Sequence, residues 1–211
     1  MSLASTSNVF AVVPPHVIVA NAFGQDMVER LMAHVLAREA DFADTQVGSQ
    51  GATRRAVRRS RKLRELGPIA EALAQRFRAA LPAAQAALGM SPFSVAALEL
   101  ELAAHGDGDY YQRHIDTFVG AGRRDMDRVL TAVYYFHRVP RAFSGGALRL
   151  CSLLPPEQGG AWIDVEPRSD SLLLFPAWAP HEVLPVSCPG GDFAGSRFAI
   201  NCWYKLARAA G

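Results

Sequence analysis

From residue 93 to residue 206 the chain is cut into short apolar runs separated by Gly, Pro, Asp and Ser. In order they are "FSVAALELELAAH" (93–105), "YYQRHIDTF" (110–118), "DRVLTAVYYFH" (127–137), "GGALRLCSL" (145–153), "AWIDVEP" (161–167), "DSLLLFPA" (170–177), "HEVLPV" (181–186) and "SRFAINCWYKL" (196–206). Runs this short and this rich in β-branched and aromatic residues are strands. So many of them, with turn signals between, require a sandwich or a barrel. The first alternates at its centre, with Leu98, Leu100 and Leu102 on one face and Glu99 and Glu101 on the other.

The front of the chain has a different period. "PPHVIVANAF" (14–23) reads as a short strand, and "DFADTQVGSQGAT" (41–53) as a polar loop. In "GQDMVERLMAHVLARE" (24–39) Met27, Leu31 and Val35 recur every four residues, one face of a helix. In "LGPIAEALAQRFRAALPAAQAAL" (66–88) Ile69, Leu73 and Phe77 do the same, and Pro82 is expected to end or kink that helix. Helices packed on an antiparallel β-core make the fold class α+β. The expectation is a single domain over 1–211, with residues 1–90 as helical support and candidate lid and residues 91–206 as the β-core.

The formal charge of +2 gives no global field that would draw nucleic acid. The basic stretch "RRAVRRSRKLR" (54–64) carries seven positive charges and leaves about −5 for the rest. It reads as a solvated loop or helix start, or, more sharply, as a lid whose Arg58 and Arg61 meet an acidic substrate or partner. Without interleaved aromatics it is a weak RNA site. No apolar run is long enough to span a bilayer, and the N-terminus lacks a signal peptide's basic start and apolar core, so a cytoplasmic protein is expected. Cys151, Cys188 and Cys202 are odd in number, far apart and in no paired motif, which argues against a disulfide framework or a cysteine zinc site and points to buried small hydrophobes.

Within "YYQRHIDTF", His114 and Asp116 lie two apart. On a strand they project from one face and can take adjacent positions on a metal. A His-x-Asp alone equally fits two solvent-facing residues of an ordinary strand. Downstream, "LLLFPAWAPHEVLPV" sets His181 directly after an apolar strand and a Pro-bounded turn, and Arg197 opens the apolar run "RFAINCWY". Two histidines and one carboxylate form the facial triad of non-haem Fe(II) oxygenases. An arginine leading a buried strand needs an anion, and its planar fork suits a carboxylate. Together they fit a cosubstrate that chelates metal at one end and carries a carboxylate at the other, as 2-oxoglutarate does. His16 and His34 have no ligand spacing and read as structural; His137 reads as a surface residue at a strand end. "GDGD" (106–109) reads as a turn, and Gly145-Gly146 as a turn or close-packing site.

Five pieces in order, "GDGDYYQRHID", "TAVYYFH", "FSGGALRL", "IDVEPRSDSLLLFPAWAPHEVLPV" and "SRFAINCWY", resemble the prolyl 4-hydroxylase-like branch of the Fe(II)/2-oxoglutarate dioxygenases. The resemblance runs over roughly residues 98–206. It implies a double-stranded β-helix (jelly roll) fronted by supporting helices. It implies His114, Asp116 and His181 as Fe(II) ligands, Arg197 as the partner of the far carboxylate of 2-oxoglutarate, and Tyr135 as a second holder of that carboxylate. Asn201 and Trp203, four and six residues after Arg197, match positions that line the site. Family members often carry a tyrosine about ten residues before the first histidine; here His105 or Tyr111 stands in for it. The implied activity is hydroxylation of an unactivated C–H bond of a prolyl residue or a small molecule, consuming O2 and releasing succinate and CO2, with ascorbate as a supporting reductant. The presence of Asp116, rather than a gap for a halide, favours hydroxylation over halogenation. Two other readings use the same residues: a zinc hydrolase with a metal-bound water, and a catalytically silent jelly-roll binding protein.

Overall fold

The computed structural model describes residues 8–45, 57–118 and 125–208. In chain order these contain β1 (Val17–Ala20), α1 (Gln25–Ala37), β2 (Ala43–Asp44), β3 (Arg58–Arg59), β4 (Arg61–Leu63), α2 (Ile69–Ala87), β5 (Ala97–His105), β6 (Tyr110–His114) and β7 (Met126–Phe136). There follow β8 (Ser144–Gly145), β9 (Leu148–Cys151), β10 (Trp162–Val165), β11 (Ser171–Pro176), β12 (His181–Val183), β13 (Val186–Ser187) and β14 (Arg197–Ala207). The strands form a large sheet in the order β1-β11-β7-β14-β5-β4-β2, a smaller one in the order β10-β9-β12-β6-β3, and the pair β13-β8. All the pairings are antiparallel. This is the α+β double-stranded β-helix.

Period-two alternation gives the large sheet two different faces. The outward set, which includes Leu102, Tyr134, Phe136, Leu172, Leu174, Phe198, Ile200 and Tyr204, packs against Leu31 and Val35 of α1 and Leu73 and Phe77 of α2 in one core. Those four helical residues are fully buried, and each contributes about 1.5–3 kcal/mol of apolar burial. The inward set, Val133, Tyr135, Leu173, Phe175 and Ala199, packs on Leu148, Leu150 and Val165 of the small sheet. Helix spacing and strand alternation therefore meet across one layer, and the inner face is left for chemistry.

A single carboxylate ties the front of the chain to the sheet. The backbone N–H groups of Phe23 and Gly24, at the start of α1, donate to Asp170 at 2.9 and 3.1 Å, and the Tyr134 hydroxyl donates to the same group at 2.9 Å. Asp170 sits at φ 57, a left-handed conformation that Asp tolerates in tight turns.

Several boundaries differ from those the sequence suggested. Pro82 lies inside α2, which runs on to Ala87. The proline forfeits one backbone bond, but Leu81, Ala84 and Gln85 are buried there and hold the helix together. Within the basic stretch, Arg58–Arg59 and Arg61–Leu63 are strands rather than a loop or helix start, because each pairs with a neighbour, β3 with β6 and β4 with β5. Residues 54–56 lie outside the described residues, as do 46–53 of the expected polar loop, while Ala43–Asp44 pairs as β2 with β4. The segment before residue 90 thus contributes four strands to the sheets besides its helices. His137 is buried, its Nδ1 donating to the Arg138 carbonyl at 2.8 Å, and not on the surface as expected. The three cysteines are free and buried, as expected. Among the described residues no helix is long and apolar enough to cross a membrane.

Because Asp170 accepts from three donors and is itself buried, Asp170→Ala strands all three. It should lower stability by about 3 kcal/mol, a fall in melting temperature of roughly 10 °C by calorimetry. An unchanged melting temperature would remove this tie from the account.

Candidate active site

The small sheet brings the two histidines together. His181 on β12 pairs in register with His114 on β6, with an irregularity just after it, and their rings lie 4.2 Å apart. Each ring is oriented by a local bond. His114 Nδ1 donates to the Gln112 carbonyl at 2.9 Å, and His181 Nδ1 to the Ala179 carbonyl at 3.0 Å. A carbonyl only accepts, so both Nδ1 atoms carry the proton and both Nε2 atoms present lone pairs inward.

Asp116 reaches the same point by a different route. The strand ends at His114, so alternation does not place the carboxylate. Instead the N–H groups of Asp116 and Thr117 both donate to the Ala177 carbonyl, at 2.9 and 3.0 Å, which pins this turn to the loop before His181. The Thr131 hydroxyl donates to Asp116 Oδ2 at 2.7 Å. The carboxylate oxygens stand 3.9 Å from His114 Nε2 and 3.6 Å from His181 Nε2. One ligand atom from each of the three residues falls within 4.8 Å of the others, the spread of a single metal site.

The electrostatics suit a cation. Burial and the neighbouring His181 hold His114 well below the usual imidazole value, against the upward pull of Asp116. Burial on its own would raise Asp116, but the adjacent His181 and His114, with Thr131 and Trp203 nearby, outweigh it and keep the carboxylate ionised. A neutral His114 beside an ionised Asp116 is the protonation state a metal requires of these two ligands.

The large sheet supplies the other wall. A cavity of about 280 Å³ is lined by the triad and by His105, Tyr111, Arg197, Asn201 and Trp203 among others. Arg197 opens β14 opposite His105 on β5 and is 1% exposed. Its Nε donates to the Gly146 carbonyl at 2.7 Å and its Nη1 lies 3.4 Å from His105 Nδ1. A Cβ built on Gly146 would stand 2.7 Å from Arg197 Cδ, so only glycine, here at φ +70, lets the guanidinium pass. Since arginine only donates, His105 accepts at Nδ1 and bears its proton on Nε2; burial first, then Arg197 and Arg58, keep it neutral. Tyr135 lies against Arg197, whose Cζ is 5.0 Å from its ring centre, and burial pushes its hydroxyl up to about 12, partly offset by Arg197.

Three buried polar atoms around this end of the site make no hydrogen bond among the described residues: Arg197 Nη2, His105 Nε2 and Tyr135 Oη; Trp203 Nε1, also without one, lies six residues along β14 at the Asp116 end. The three are donors in these protonation states, and unpaired buried donors cost free energy unless an acceptor joins them. That is the arrangement a carboxylate-bearing cosubstrate fits. The sequence pointed to nine residues of the metal and cosubstrate site, and eight of them line one cavity with the ninth, Tyr135, against Arg197. Of Arg58 and Arg61, expected to meet an acidic substrate, Arg58 lines this cavity and Arg61 lines a separate cleft. The sequence did not point to Thr131, Glu99, Glu101, Lys62 and Arg128 as site residues, though they also line the cavity. The Glu99/Glu101 alternation was the readable signal, since two carboxylates on the inner face of a central strand need partners. A larger cleft of about 570 Å³ beside β4 shares Arg58 but contains none of the triad.

A sequence profile described as the 2OG-Fe(II) oxygenase superfamily matches residues 100–205. An uncharacterized PKHD-type hydroxylase of Synechocystis is 38% identical over 138 residues, 62% of this chain and 44% of that protein. Human Egl nine homolog 1 is 36% identical over 104 residues, 47% of this chain and 20% of that one. The chain spans less than half the length of these curated relatives. A crystal structure of a Pseudomonas putida prolyl-4-hydroxylase superposes with a TM-score of 0.66 at 26% identity, covering 92% of this chain and 94% of the other.

His105 makes stability depend on pH. Its folded value is depressed below the unfolded value, so the unfolded chain takes up the proton first. The contribution is intact above about pH 6.5 and is lost as pH falls below it. Metal-free protein should therefore lose stability on acidification from pH 7 to 5. The slope should be steeper than in His105→Phe by up to about 1.4 kcal/mol per pH unit, read from urea unfolding at each pH. Equal slopes would mean that His105 is not held neutral.

Proposed function

This chain belongs to the 2OG-Fe(II) oxygenase superfamily, and we propose that it is an Fe(II)- and 2-oxoglutarate-dependent dioxygenase that hydroxylates an unactivated C–H bond of a prolyl residue or a small molecule. The observation that carries the reading is the pairing of two features in one cavity. The His114, Asp116 and His181 ligand atoms lie within 4.8 Å of each other, and buried donors led by Arg197 are left without acceptors on the opposite wall. A metal with no second ligand would answer the first and leave the second unexplained, which counts against a zinc hydrolase. A silent binding protein would have no need to keep both.

In this reading His114, Asp116 and His181 hold Fe(II), and Arg197 pairs with the far carboxylate of 2-oxoglutarate. His105 Nε2 and the Tyr135 hydroxyl add donors to that carboxylate. His105 rather than Tyr111 takes the place of the family's usual tyrosine, because its Nε2 is buried and unpaired while the Tyr111 ring stacks on His114 at 3.6 Å. When bound, iron and cosubstrate together supply O2 activation coupled to decarboxylation to succinate and CO2. The chain's own work is positional. The Gln112 and Ala179 carbonyls fix both imidazoles, Thr131 and the Ala177 carbonyl fix Asp116, and Val133, Leu148 and Val183 give the cavity an apolar side. Asn201 and Trp203, on the same face of β14 as Arg197, border the reacting region. Ascorbate enters only as the reductant an assay would supply. We take the chain to act as one domain, since one core joins both helices to the large sheet.

Anaerobic titration with Fe(II) and 2-oxoglutarate should develop the weak visible charge-transfer band of the chelate. Asp116→Ala and His181→Ala should abolish it. Arg197→Ala should leave metal binding intact while raising the 2-oxoglutarate Kd by about 100-fold, the loss typical of one partner of a buried charge pair. A protein that binds metal, shows no band and keeps an O2-independent hydrolytic activity would return the zinc hydrolase.

A further inference from the structure

We infer that the substrate carries a carboxylate and that Arg58 and Arg128 receive it at the mouth of the cavity; this rests on the Fe(II)/2-oxoglutarate reading above. Glu99 and Glu101 alternate on β5 and both line the cavity. Each is bracketed by two cations. Glu101 pairs with Arg58 at 2.8 Å and Lys62 at 3.1 Å, and Glu99 pairs with Arg128 and, at 2.6 Å, with Lys205. Burial alone would raise both carboxyls, but these cations outweigh it and keep them ionised. Four cations on two carboxylates leave a formal excess of two positive charges at this wall.

The rest of the loaded site does not cancel that excess. The two charges of Fe(II) and the one of Arg197 balance Asp116 and the two carboxylates of 2-oxoglutarate. A neutral centre beside a positive wall, inside a partly dry cavity, concentrates anions.

The two arginines are also built to bind. Arg58 lies with Cζ 4.8 Å from the Tyr111 ring centre, and Arg128 with Cζ 3.7 Å from that of Trp203. Guanidinium groups laid on aromatic faces keep their in-plane donors free. Arg58 spends Nε on Ser60 and Nη2 on Glu101; Arg128 spends Nε and Nη2 on Glu99. In both, Nη1 makes no hydrogen bond among the described residues. Stacking and ion pairing have already removed the side-chain freedom a ligand would otherwise have to freeze, so a carboxylate gains most of its bond energy. Residues 99 and 101 lie about 7 Å apart along the strand, so the two guanidiniums present neighbouring donors and not a single point charge. The carboxylate can belong to a small molecule or to an acidic residue beside the target of a peptide.

The test uses the full chain loaded anaerobically with Fe(II) and 2-oxoglutarate, and calorimetry with matched probes. N-acetyl-L-proline is set against N-acetyl-L-prolinamide, and a capped proline-centred pentapeptide with flanking Asp against its Asn counterpart. The carboxylate member of at least one pair should bind about tenfold tighter than its neutral partner, and the preference should shrink as salt approaches about 1 M. Preference in the first pair marks a small-molecule carboxylate, and in the second a peptide carboxylate. Arg58→Gln and Arg128→Gln should each reduce the preference while the chelate band remains. Glu99→Gln, which adds net positive charge, should increase it; misfolding cannot produce that opposite sign. Absence of preference in both pairs, failure of both carboxylate probes to bind, or a preference unchanged in both arginine variants overturns the inference while the chelate band still stands. Loss of the band in the unaltered protein overturns the cofactor reading and this inference with it.

Discussion

A guanidinium buried at the start of β14 is the constraint to which the site is fitted. Arg197 cannot shed its proton, so every neighbour must accept from it, stack on it or stay out of its way. The Gly146 carbonyl accepts from Nε, His105 offers a lone pair, Tyr135 lies face-on, and position 146 has no side chain because any Cβ would collide with the arginine stem. One donor, Nη2, is left over. That unpaired arm is the contact proposed for the far carboxylate of 2-oxoglutarate.

The same strands carry the core and the chemistry. On β14, Phe198, Ile200 and Tyr204 sit among the helices while Arg197, Asn201 and Trp203 face the cavity. On β7, Tyr134 joins the helical core and Asp170, and its neighbour Tyr135 lies against Arg197. A one-residue slip of either strand would move every core side chain into the cavity and every site residue into the helices. Register is therefore set by the apolar face, whose burial is worth far more than any single polar contact. The site inherits its geometry from the packing of α1 and α2 behind it.

How much of this could be read from the chain depended on whether a residue's neighbours are local. The strands from residue 97 onward were legible because alternation and turn residues are local signals, and His114, His181 and Arg197 because their residue types are costly inside an apolar strand unless used. Asp116 was legible for a reason that is only half right. Spacing suggested one strand face, whereas the carboxylate is set by bonds to Ala177, sixty-one residues away. His137 was misread because a strand-end position says nothing about the Phe143 ring that covers it edge-on at 5.4 Å. Pro82 does not end its helix because the burial of Leu81, Ala84 and Gln85 overrode a local rule. Lys62 and Arg128 stayed hidden, and Arg58 could not be told from Arg61, because a basic residue looks the same in sequence whether it meets water or a carboxylate of β5.

That last ambiguity leads to the most consequential feature of the front segment. Within six residues the chain pairs first with the small sheet, as β3 on β6, and then with the large one, as β4 on β5. Ser60, between them, is buried, and its carbonyl accepts from both the backbone and the hydroxyl of Thr45. A segment that joins both sheets at one end works as a staple, and an exposed loop in its place could not hold Arg58 against Tyr111 on one side and Glu101 on the other. A basic run would ordinarily repel itself and stay solvated. Here Glu101 on β5 takes Arg58 and Lys62, while Asp109 takes Arg59 and Glu39 takes Arg61, and backbone pairing on both flanks holds the segment in place. Arg58 and Lys62 are thus brought to the wall of the cavity by the same pairing that closes the sandwich.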